Sequence, residues 1–160
     1  MALVLAACPE ATGVGMDFSA EMVGRARARF DGDERVEIVE ADLDRPLPAW
    51  GTFDVVVSSF AIHHVVDERK RALFGEVWEL LEVGGAFLNL EHVASPTERL
   101  HLEFLAALDI APEDDDPSNE LAAVGDQLEW LRAAGFEDVD CHWKWRELAL
   151  LAGVKGPATG

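Results

Sequence analysis

Apolar and polar positions along this chain follow two periods in turn. Residues 12–17, "TGVGMD", make a short apolar run that closes on Asp17, the pattern of a buried strand. Residues 19–30 then place Met22, Val23, Ala26 and Phe30 at helical core spacing, with Ser19 as the expected N-cap. "RVEIVEADL" predicts a strand from Val36 to Ala41 with a second acidic end at Asp42, and "RPLPAWG" is a turn-rich connection. In "FDVVVSSFAI" the run Val55, Val56, Val57 is expected of a strand buried on both faces. Asp67 is the expected cap of a helix whose stripe is Leu73, Phe74, Val77, Leu80 and Leu81, ended by Gly84 and Gly85 as C-cap residues. "AFLNLEHV" is another buried strand. The next helix is expected to start with Ser95 as cap and Pro96 at its first position.

"APEDDDPSNE" reads as an acidic loop, and "GDQLEWLRAAGF" as a helix ended by Gly135. "EDVDCHWKW", with Val139, Cys141, Trp143 and Trp145 on one face, and "ELALLAGVK" predict an antiparallel pair near a sheet edge. Residues 2–8 predict the end of an apolar, buried helix closed by Pro9. Strand and helix alternate, so the expected class is α/β, with a mostly parallel sheet flanked by helices and an antiparallel C-terminal strand pair. No linker is long enough to divide the chain, so residues 1–160 are expected to form a single domain.

Composition narrows the partners. A hydrophobic content of 49% is that of a globular chain with a core. The formal net charge of −18 argues against nucleic acid or an anionic membrane, whose phosphates are bound by Lys and Arg. Arg25, Arg27 and Arg29 are the sole basic cluster, and their alternation with Ala fits a solvated helix face. Cys8 and Cys141 have no metal-motif neighbours, which points to a reducing, cytoplasmic setting. "LVLAAC" lacks the basic flank of a signal peptide, and no apolar run approaches a membrane span.

In open parallel sheets, ligands bind at the carboxyl ends of the strands. Asp17, Asp42, the stretch Ser58 to His64, and Glu91 with His92 all fall at such ends. An acid in the position of Asp17 is placed to accept from two ribose hydroxyls. His63, His64, Glu91, His92 and His101 could converge on one cleft, a set whose nitrogen and oxygen donors suit Fe(II), Mn or Zn. Their spacing is not diagnostic, a polar substrate pocket being the plainer reading, and no metal ligand is assigned.

"GVGMDFSAEMVGRAR", "VEIVEADLDRPLP", "FDVVVSSFAIHHV" and "LLEVGGAFLNLEHV", in that order and spacing, resemble class I S-adenosylmethionine-dependent methyltransferases of the small-molecule type. "WLRAAGFEDVDCHWKW" is similar to that family's last helix and strands. The resemblance covers about residues 3–155. It implies a Rossmann-like sheet, S-adenosyl-L-methionine as cofactor and a small-molecule methyl acceptor. By resemblance, Asp17 binds the ribose hydroxyls, Phe18 and Met22 line the adenosine pocket, and Asp42 takes the adenine amino group with Leu43 beside the ring. Ser58, Ser59 and Phe60 fall near the methionine end, and His63 and His64 on the acceptor side, where either could be a general base.

The family opens with a strand and a D-x-G-x-G-x-G loop, whereas this sequence opens inside the family's first helix, with Val83 where proline is usual. Gly13 and Gly15 lead into a strand and do not replace that loop. The expectation is therefore an N-terminally truncated domain whose first central strand, between those carrying Asp17 and Ser58, is missing. A start further upstream or a fragment is the expected origin of the gap; with Met1 as the true start, direct pairing of those two strands or a homodimer would fill it. Two functions stay open at this point. One is methyl transfer by in-line displacement at the sulfonium methyl, and the other is a non-catalytic, methyltransferase-like binding or dimerising module.

Overall fold

Asp17 and Glu91 both sit at strand ends in the computed structural model, which describes residues 1–157. The chain divides into two compact units, Met1–Leu47 and Pro48 onward.

The first unit holds α1 (Ala2–Ala7), β1 (Gly13–Asp17), α2 (Ala20–Arg29) and β2 (Val36–Glu40). β1 and β2 pair in parallel, from Gly13 opposite Val36 to Asp17 opposite Glu40. Gly15 lets the strands approach, since a Cβ there would lie 2.9 Å from Ile38 Cδ1. Ser19 caps α2 by accepting from the Met22 N–H at 3.4 Å. Arg27 donates to the Ile38 carbonyl at 3.0 Å, tying the last turn of α2 to β2. Only Leu5 and Val23 are buried in this unit. The buried helix expected over residues 2–8 is thus mostly exposed, Leu3 and Val4 included.

The second unit holds β3 (Phe53–Ser59), a 3-10 turn (Ile62–His64), α3 (Asp67–Leu80), β4 (Leu81–His92), α4 (Glu98–Ala107), α5 (Val124–Ala133), β5 (Phe136–Trp145) and β6 (Leu148–Lys155). The sheet order is β3-β4-β6-β5. β3 and β4 are parallel, and β6 runs antiparallel to both β4 and β5. This unit is an α/β fold with a mixed four-stranded sheet and flanking helices, and the first unit is a parallel α/β pair of strands. Phe74 of α3, Phe87 of β4 and Phe136 of β5 form a ring column, with centroid spacings of 5.9 Å at both steps, against Leu73, Val77, Leu131 and Leu151.

Several local expectations are corrected. Among the described residues, β1 pairs only with β2 and β3 only with β4, so the direct pairing of the two strands is not made. β3 is an edge strand, and Val55 and Val57 are exposed instead of buried on both faces. Asp67 lies in the first turn of α3 and pairs with Lys70 at 3.0 Å, so it is not the cap. α3 ends at Leu80, and Gly84, with φ +84°, sits in the irregular start of β4 beside a register shift. α4 is capped by Thr97, because the Ser95 side chain is engaged with Glu147. Two register shifts in β5 break the expected common face, leaving Trp143 and Trp145 exposed.

Candidate functional site

The inward row of β4 changes character along its length. Phe87, Asn89 and Glu91 are all fully buried, opposite Gly153, Leu151 and Ala149 of β6. The row thus runs from the apolar core to a carboxylate at the carboxyl end of the strand. β3, parallel to β4, ends beside it and turns through Phe60 into the 3-10 turn. Phe60 holds φ +50°, an uncommon conformation for an aromatic residue, and its N–H donates to the Leu90 carbonyl at 2.9 Å. That geometry sets His63 and His64 at the strand ends.

His63 Nδ1 lies 2.6 Å from Glu91 Oε1, with both side chains closed off from solvent. The same oxygen accepts from the His92 N–H at 2.9 Å. Glu91 Oε2 and both polar atoms of Asn89 have no partner among the described residues. A buried carboxylate oxygen without a protein partner is an exception in a folded chain, where buried polar groups are normally paired. The His63 and His64 rings lie 4.0 Å apart between centroids, and His63 and His92 5.6 Å.

A second cluster adjoins on β4. Glu147, fully buried in the β5–β6 turn, faces His92 Nε2 at 2.8 Å and His101 Nδ1 at 3.0 Å. Burial pushes its carboxyl up, but hydrogen bonds from Ser95, His92 and His101 outweigh this and hold it below the usual glutamate range. The backbone adds to the tie, since the Val93 N–H donates to the Glu147 carbonyl at 2.7 Å. Sequence reasoning missed Glu147. Its signal was present, because the alternation of Ala149, Leu151 and Gly153 in β6, extended back two residues, points Glu147 inward.

The structure brings His63, Glu91, His92 and His101 into one neighbourhood, as the metal alternative required. Each histidine is satisfied by a carboxylate instead, and no group of three or more donors with metal-holding geometry occurs among the described residues. In this unit Ser58 is half-buried, Ser59 exposed, and Phe60 exposed at 43%.

The first unit carries the other predicted residues at the carboxyl ends of β1 and β2. Asp17 is half-buried and accepts from the Ser19 N–H through Oδ1 at 2.8 Å. Phe18 comes next with 73% of its surface exposed, and Met22 is exposed one turn into α2. Asp42 is exposed and accepts from the Asp44 N–H at 2.9 Å, with Leu43 half-buried beside it. Uncovered apolar side chains thus flank two acids at the strand ends.

A family model described as a methyltransferase domain matches residues 1–85. The chain is 34% identical over 143 residues to the demethylmenaquinone methyltransferase of Clavibacter sepedonicus, covering 79% of this chain and 57% of that protein. It is 26% identical over 161 residues to the carboxy-S-adenosyl-L-methionine synthase of Methylococcus capsulatus, covering 90% and 66%. Its fold superposes on an O-methyltransferase family protein from Burkholderia thailandensis with a TM-score of 0.74 at 24% identity, over 99% of this chain and 48% of the other. The chain thus spans between about half and two thirds of the length of these relatives. With that family model matched over more than half its length, the chain belongs to the methyltransferase domain family.

Proposed function

We propose that this chain carries out S-adenosyl-L-methionine-dependent methyl transfer to a small-molecule acceptor, its two units acting as one domain over residues 1–160. The observation that carries the reading is the buried His63–Glu91 pair at the carboxyl ends of two parallel strands. The family model, which runs across the Leu47–Pro48 division, supports the single-domain reading.

The residues present fit the cofactor. In the first unit Asp17 would accept from the ribose hydroxyls and Asp42 from the adenine amino group, with Phe18, Met22 and Leu43 against the ring. In the second unit Ser58, Ser59 and Phe60 offer the hydroxyls and aromatic face that suit a methionine sulfonium. When bound, S-adenosyl-L-methionine supplies a methyl group already activated by its positive sulfur.

The protein's part is orientation, exclusion of water and proton management. Glu91 accepts from His63 Nδ1, which fixes the tautomer and leaves Nε2 to take the acceptor's proton. The carboxylate stabilises the imidazolium that results. His64 stands beside His63 and would orient the acceptor or share its proton.

The net charge of −18 supports a partner that is neither nucleic acid nor anionic membrane, and no described helix is long and apolar enough to cross a bilayer. The free thiols Cys8 and Cys141 support a cytoplasmic setting. The open edge of β3 supports a homodimer.

The test is calorimetric titration of the chain with S-adenosyl-L-methionine and its demethylated product. Micromolar binding that is lost in Asp17→Ala is expected. Absence of binding up to millimolar ligand would overturn the reading and leave a non-catalytic binding module.

A further inference from the structure

Residues 111–120 cross the 3-10 turn that carries the histidine pair, and their attachment is unusual. From Ala111 to Glu120 no side chain is buried. Polar contacts tie the segment to the rest of the unit, and several of them go to the site. The Glu120 N–H donates to the His63 carbonyl at 2.8 Å, and Lys70 Nζ donates to the Glu120 carbonyl. Ser118 Oγ lies 3.1 Å from His64 Nδ1, and Asp115 Oδ2 lies 3.3 Å from His101 Nε2.

The donors can be assigned. Ser118 Oγ is 2.7 Å from Asp116 Oδ1, a carboxylate that can only accept, so the single hydroxyl proton goes there. The bond to His64 is therefore donated by His64 Nδ1 into the Ser118 oxygen. Asp116 also accepts from the Ser118 N–H at 2.9 Å. These two bonds, with the charges of His64 and His63, hold the Asp116 carboxyl below the usual aspartate range.

We propose that residues 111–120 form a strap that gates access to the buried His63, with Ser118 on His64 and Asp115 on His101 as its two latches. His64 is itself exposed, so the contact blocks one atom: an acceptor that takes His64 Nδ1 as its partner must displace Ser118. Each net hydrogen bond shifts a closing equilibrium by only about two- to tenfold. A segment with such bonds and no fully buried side chain opens locally, without unfolding the sheet beneath it. The inference rests on the methyl-transfer reading only for what the gate admits.

The test needs neither cofactor nor acceptor. Amide hydrogen exchange and carbethoxylation of His63 by diethyl pyrocarbonate are measured in the full chain, in Ser118→Ala and in Asp115→Asn. We expect exchange at the Glu120 amide and labelling of His63 to rise together, by about fivefold in each variant. Amides of the β4–β6 ladder should not change, which shows that both variants remain folded. The proposal is overturned if the Glu120 amide exchanges only with global unfolding, or if His63 is labelled at wild-type rate in both variants. Because cofactor titration is a separate experiment, failure of the gate and failure of methyl transfer are told apart.

Discussion

His63 and Glu91 stand 28 positions apart in sequence, yet their side chains meet at 2.6 Å inside the protein. The contact exists because β3 and β4 are adjacent and parallel, so the turn after β3 lies beside the end of β4. Replacing Glu91 by Gln keeps the shape and removes the charge that would stabilise a protonated His63. The methyl-transfer rate on any acceptor the wild type accepts should fall by about 10²- to 10³-fold, with affinity for the demethylated cofactor unchanged. Nitrogen chemical shifts of His63 give an independent reading. They should place the proton on Nδ1 in the wild type and lose that preference in Glu91→Leu. An unchanged rate in Glu91→Gln would remove Glu91 from the mechanism.

Glu147 gives a prediction with a defined sign. Its folded carboxyl titrates below the ordinary glutamate value of 4.5, because three hydrogen bonds outweigh its burial. A depressed carboxyl contributes stability that is present above the unfolded value and lost as pH falls through the folded one. Glu147→Gln should therefore be clearly less stable than wild type at pH 5.5, and the gap should narrow by pH 3.5. Urea midpoints at the two pH values check this. A gap that widens in acid would contradict the assigned direction.

Gly153 tests the packing of the second unit. A Cβ at this position would lie 2.9 Å from Phe136 Cβ and 3.1 Å from Val139 Cγ2. The neighbours belong to β5, whose place is fixed by the ladder with β6. Gly153→Ala should cost about 1–3 kcal/mol by overpacking. Chemical denaturation measures it, and a change below about 0.5 kcal/mol, ordinary for a surface site, would show that β5 yields.

The edge of β3 is exposed in a different sense. Val57 is 65% accessible on a strand paired along one side only among the described residues. Such edges recruit other strands, and a lysine blunts them. Val57→Lys should shift sedimentation toward the monomer at high protein concentration while leaving the unfolding free energy within about 0.5 kcal/mol of wild type. Equal self-association in both proteins would place the contact elsewhere.

Much of this arrangement was legible in the sequence because period and punctuation are local. Ser19 caps α2 as read, Asp17 ends β1, and the strand-end positions of His63, His64 and Glu91 come from the order of elements. The illegible features depend on contacts across the fold. Ser95 looked like a cap and serves Glu147, a partner far along the chain, so Thr97 caps α4. Val55 and Val57 looked buried because a triple valine run describes a propensity and not a neighbour. Trp143 and Trp145 left their expected face because two bulges, which no residue type announces, shift the register of β5.

The first unit, with Leu5 and Val23 as its buried apolar side chains, carries Asp17 and Asp42. A unit with so small a core is marginal by itself, since little of its chain surface is removed from water. On the proposed function, nucleoside affinity would be scaled by the fraction of molecules in which this unit is ordered. Occupancy and local order become one linked equilibrium. Saturating ligand would raise the melting of the first unit, and affinity would fall on warming faster than contact loss alone explains. Measured dissociation constants would thus report the order of residues 1–47 as much as the contacts of Asp17.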